Sequence, residues 1–121
     1  MNALTTEEAL VAARQLVDTP SQDTTGLWAR AAAVLVRQAL ETALRDLWHR
    51  KARGTHKATF TAQLLCLPAF LDDEDLAGAV AWTWAATSAA CHHNGYALPP
   101  VRGELETWAA TVERFIAGTR G

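Results

Sequence analysis

The run Cys91-His92-His93-Asn94 holds the one obvious cluster of side chains able to move protons near neutral pH, two adjacent imidazoles. It closes an alanine-rich stretch from Ala77 to Ala90. Gly95 and then Pro99-Pro100 stop any helical continuation. Such a helix end has two readings. One histidine caps free carbonyls where the helix dipole favours positive charge. Alternatively, His92 or His93, next to the polar Asn94, is a general acid/base on a surface completed by a second subunit. Neighbours on a helix point about 100° apart, so Cys91, His92 and His93 cannot easily share a metal, and none is expected.

Other charged groups recur at helical spacing. Arg37, Glu41 and Arg45 form a ladder of opposite charges four residues apart. Such pairs stabilise a helix by roughly 0.2–0.5 kcal/mol each; the functional alternative turns an arginine toward the histidines. Arg45, Arg50, Lys51, Arg53, His56 and Lys57 gather at the end of the same segment. They complement a helix C-terminus or, being more cations than a cap needs, contact a phosphate-bearing partner. The acidic run Asp72-Asp73-Glu74-Asp75 reads as a helix start rather than a magnesium site. No Gly-rich phosphate loop, Ser-His-Asp arrangement or metal motif is present.

Five helical segments must position these groups. Thr5-Thr6-Glu7-Glu8 has capping-box spacing, followed by Leu10, Ala13, Leu16 and Val17 at helical intervals. A long helix follows from about Gly26 to Arg53, with Leu27, Ala31, Val34, Leu35, Leu40, Ala43, Leu44, Leu47 and Trp48 on its apolar face. Arg30, Arg37, Glu41, Arg45 and His49 fall on the other side. A short helix from Phe60 to Leu67 ends at Pro68, a fourth runs from the acidic run to His93, and a fifth from about Val101 to Ala117. No strand is convincing. The expected fold is an all-α, four-helix-type bundle with one additional short helix, a single domain over 1–121.

Among five tryptophans, Trp82 and Trp84 are two apart on one helix and point to nearly opposite sides, so one covers an interface or a pocket. The alanines around them permit close helix approach, within the bundle or across a twofold dimer. The net charge of −2 excludes binding driven by overall positive charge and leaves room for a local basic patch. No apolar run approaches a membrane span, and Met1-Asn2-Ala3-Leu4-Thr5 has no leader character. Two cysteines, Cys66 and Cys91, at no metal-type spacing fit reduced thiols in a cytoplasmic protein.

The order of a long helix carrying Arg37-Gln38-Ala39-Leu40-Glu41, a short helix around Gln63-Leu64-Leu65, and a helix ending in histidine resembles the HEPN superfamily (higher eukaryotes and prokaryotes nucleotide-binding domains) over about residues 25–117. The resemblance implies a small, commonly dimeric helical bundle of a bacterial toxin–antitoxin or phage-defence type system, RNA-binding or RNA-cleaving. As an enzyme it would be a metal-independent endoribonuclease without cofactor. The family signature, an arginine followed after four to six residues by a histidine, carries the histidine onto His92 or His93. The arginine positions hold Ala85, Ala86, Thr87 and Ser88. The cation stabilising a charged phosphorane must then come from Arg37, Arg45 or a second subunit, or else the chain is a non-cleaving relative. Arg50 and His56 also fit the pattern, but Gly54 between them marks a helix end. The implied partners are RNA, a second copy of the chain and an antitoxin-like protein. In this scheme His92, His93, Asn94 and Arg37 are the catalytic candidates, Arg45, Arg50, Lys51 and Arg53 contact RNA phosphates, and Trp82 and Trp84 are interface candidates. The alternative is a non-enzymatic helical dimerisation or protein-interaction module.

Overall fold

The computed structural model of the protein describes residues 4–18, 27–92 and 98–119. Five helices pack together: α1 (Thr6–Asp18), α2 (Leu27–Lys51), α3 (Phe60–Cys66), α4 (Glu74–Cys91) and α5 (Arg102–Thr119). Among the described residues there is no strand. The central element is α2, against which α1, α4 and α5 all pack.

Local chemistry sets the helix ends. The Thr5 backbone N–H donates to Glu8 Oε1 at 3.0 Å, and the Glu8 N–H donates to Thr5 Oγ1 at 3.1 Å, the reciprocal pair that the capping-box spacing predicts. Asp73 caps α4, its Oδ1 accepting from the Leu76 N–H at 3.0 Å, so the acidic run acts as a helix start. Thr59 does the same for α3 through the Ala62 N–H. Pro68 does not stop the chain abruptly. It opens a 3-10 turn, Leu67–Ala69, where its missing N–H is not needed.

The apolar face of α2 differs from the sequence expectation in its first half. Ala29, Ala32, Ala33, Val36 and Ala39 are buried, whereas Ala31 and Val34 are exposed. Enclosure by three helices explains this: small residues let backbones approach where several neighbours converge. Farther along, Leu40, Leu44, Leu47 and Trp48 are buried as expected. Each such leucine contributes about 1.5–3 kcal/mol by burial, against a few tenths for a charge pair on the same helix. Packing, not the charge ladder, therefore fixes α2. On α5, Phe115 joins Leu105, Trp108, Ala109 and Val112 in the core, while Ile116 is half-buried. Surface ion pairs Arg14–Glu113 at 2.6 Å and Arg102–Asp18 at 3.0 Å tie α1 to α5. Among the described residues, no helix is long and apolar enough to cross a membrane.

Candidate nucleic-acid interface and histidine end

The basic cluster is built by a tight reversal after α2. Gly54 takes a left-handed conformation (φ +96°) that other residues rarely adopt. It leads into a 3-10 turn, Thr55–Lys57, that folds back on the helix. This lays His56 over His49, ring centroids 4.5 Å apart and planes 29° from parallel. A buried amide holds the turn in place. Gln63, 2% exposed, accepts from Trp48 Nε1 at 2.8 Å and donates to the Ala58 carbonyl at 2.8 Å and the His56 carbonyl at 3.3 Å. In the sequence Gln63 stands only within the short-helix pattern Gln63-Leu64-Leu65, and nothing there marks it as the residue that holds this turn.

The reversal collects positive charge. Burial first, then His49, Lys57 and Arg45, hold the His56 imidazole below its ordinary pKa. Arg45, Arg53 and Lys57 are exposed and make no ion pair among the described residues. A divalent metal is poorly suited to the two histidines, because their nearly parallel planes do not converge on a common point in front of both rings. Among the described residues no group of three potential ligands gathers elsewhere.

The six cations expected to form one patch divide in two. Arg50 turns toward α5, its Nη1 donating to the Thr119 carbonyl at 2.8 Å and its Nε to the Asp46 carbonyl at 3.3 Å. It thereby satisfies a helix end, as a C-terminal cation should. Lys51 lines a cleft of about 490 Å³ with Arg114, Asp73 and Phe70. Successive residues on a helix point in different directions, so the two neighbours leave the face that carries Arg45 and His49.

The histidine end is assembled differently. His92 follows the last residue of α4 in extended conformation and is exposed, its N–H donating to the Ala89 carbonyl at 3.2 Å. His93 and Asn94 lie outside the described residues. Arg30 Nη1 donates to the carbonyls of Ala90 at 3.2 Å and His92 at 3.3 Å, anchoring this helix end to α2. Arg37, the sequence candidate, lies elsewhere. Its guanidinium carbon sits 5.8 Å from the Trp84 ring centroid, and its Nε is 3.7 Å from Glu41 Oε1. Trp84 precedes His92 by eight residues, about 12 Å of helix. The arginine beside His92 is thus Arg30, two turns up the same face of α2 from Arg37.

The polar side of α2 is not a solvated stripe. Arg30, Arg37 and Glu41 are half-buried, and burial raises the Glu41 pKa against the opposing pull of Arg37 and Arg45. Trp84 packs against the core, 6.0 Å from Phe60, whereas Trp82 is 60% exposed. Cys66 and Cys91 are free thiols. No protein-family model, characterised protein or solved structure matches the chain.

Proposed function

We propose that this all-α chain is an HEPN-like bundle of toxin–antitoxin or phage-defence type that binds RNA through the reversal at the end of α2. The observation that carries the proposal is the gathering of Arg45, His49, His56 and Lys57 around one turn. Like charges crowded at one place repel, and a phosphate backbone relieves that repulsion while releasing counterions. Two flat imidazoles beside these cations also offer a surface on which a base can stack. Arg53 adds charge at the rim; Arg50 and Lys51, turned toward α5 and the cleft, do not belong to this contact. For cleavage, His92 is the proton-transferring candidate among the described residues, and Arg30 replaces Arg37 as the nearby cation.

The test is fluorescence anisotropy of a labelled single-stranded RNA at two salt concentrations. Arg45→Ala and Lys57→Ala are each expected to weaken binding and to reduce the salt slope by roughly 1. Arg50→Ala is expected to leave the slope unchanged. An RNA that fails to bind at micromolar protein and low salt overturns the proposal. Intact RNA after incubation, with binding retained, assigns a binding protein rather than a ribonuclease.

A second reading, a helical module that pairs with another protein surface, is favoured by the exposed Trp82. Indoles of this kind supply binding hot spots when buried at an interface.

A further inference from the structure

Helix α4 and the start of α5 border a depression of about 250 Å³ whose walls are of mixed character. Ala86 and Ala89 on α4, with Pro100 before α5, give it apolar sides. Trp82, 60% exposed, adds an indole, and Arg30 and Glu104 supply one charge of each sign. The volume falls below the roughly 300–1,000 Å³ of clefts that take drug-sized ligands. It suits a single flat ring system that carries its own polar edge.

Two of the walls can read such an edge. Glu104 and Trp108 are four residues apart on α5 and so share one face of the helix. The Glu104 carboxylate is fixed in place, Oε1 accepting from the Val101 N–H at 3.0 Å. A carboxylate offers about four acceptor positions, so the cap leaves most of them open. Trp108 is 3% exposed, and its Nε1–H has no hydrogen-bond partner. A buried donor left unpaired is uncommon in a folded protein and unfavourable. Side by side, these groups present two acceptors and then a donor. Among the RNA bases, the Watson–Crick edge of guanine is the complement: N–H donors at N2 and N1, then the O6 acceptor. Uracil flanks its one N–H with two carbonyls that repel a carboxylate; adenine and cytosine offer it a single amino group.

Arg30 ties the depression to the histidine end. It lines the hollow while its Nη1 donates to the His92 carbonyl at 3.3 Å. A nucleotide whose base enters here has a cation and the His92 end within reach of its phosphate.

We infer that this depression is a guanine-selecting subsite, in which the base stacks on Trp82, its N1–H and N2–H donate to the Glu104 carboxylate, and its O6 accepts from Trp108 Nε1. Trp82 and the 91% exposed Leu98 are the walls with room to shift as the ring enters and brings O6 to the enclosed N–H. Stacking on an indole supplies affinity for any base; Glu104 supplies the choice among them. The inference deepens the RNA reading above, on which its biological ligand rests, but uses residues outside the basic reversal. Arg45, the nearest member of that reversal along α2, is fifteen residues from Arg30, ~22 Å of helix.

Isothermal titration of the full chain with mononucleotides tests the subsite without any RNA polymer. Guanosine monophosphate is expected to bind, and inosine monophosphate, which lacks only the N2 amino group, to bind roughly tenfold more weakly. Glu104→Ala is expected to remove that difference, and Trp82→Ala to weaken both nucleotides roughly tenfold. Both residues are exposed, so helical circular dichroism is expected to stay intact. In proton NMR the Trp108 indole N–H is expected to move downfield with guanosine monophosphate as it gains an acceptor. No binding at millimolar nucleotide, a guanosine-to-inosine ratio unchanged by Glu104→Ala, or an unmoved Trp108 signal overturns the inference. Mononucleotide binding of this pattern alongside a failed RNA anisotropy assay overturns the reversal and leaves the subsite standing; the converse overturns the subsite alone.

Discussion

Replacing Gln63 by leucine tests how the basic turn is held. The substitution puts an apolar side chain of similar size into a site that is 2% exposed. It leaves the Trp48 indole N–H, in a residue 0% exposed, without the acceptor it has at 2.8 Å. A buried donor left unpaired costs about 1–3 kcal/mol. The Ala58 and His56 carbonyls lose donors at 2.8 and 3.3 Å, but Ala58 is exposed and takes water instead, adding about 0.5 kcal/mol. The expected loss is about 1.5–3.5 kcal/mol, a large share of the roughly 5–15 kcal/mol that holds a domain together. For a chain of this size it lowers Tm by roughly 10 °C. Urea unfolding followed by circular dichroism measures it without relying on Trp48 fluorescence. Adding Trp48→Phe removes the orphaned donor, so the double variant is expected to lose less than the two single losses summed. An unchanged midpoint for Gln63→Leu, or strict additivity in the double variant, refutes the reasoning.

The His56 imidazole is expected to titrate below an ordinary histidine in proton NMR, and Lys57→Ala or Arg45→Ala to move it upward. Because its folded-state pKa is lowered, the neutral form is favoured in the fold, and His56 contributes to a loss of stability as pH falls through the ordinary histidine range. Arg30→Ala is expected to cost about 1 kcal/mol by freeing the Ala90 and His92 carbonyls. It should speed amide hydrogen exchange at His92 and Cys91 while leaving α1 unaffected; uniform protection would show that Arg30 does not anchor this end.

Local rules written in short spans of sequence reach the structure with little change. The Thr5–Glu8 capping box, the Asp73 cap and the five helical segments depend on neighbours three or four residues away, and periodicity reports those directly. The apolar half of α2 from Leu40 to Trp48 was legible for the same reason. What the sequence left open depends on which helices touch. Ala32 and Ala33 are buried and Val34 exposed because α2 is enclosed on three sides, which hydrophobicity alone does not encode. Arg50 looks like one cation among six until α5 presents the Thr119 carbonyl to it. Arg30 looks like a surface arginine until α4 ends beside it, and Arg37, equally placed in the sequence, meets Trp84 instead. The sequence by itself determined that this chain forms helices, where most of them begin, and that histidines and cations stand at helix ends. Only the tertiary structure decided which of those groups meet, because a side chain's partner on another helix is set by packing distance and angle rather than by separation along the chain.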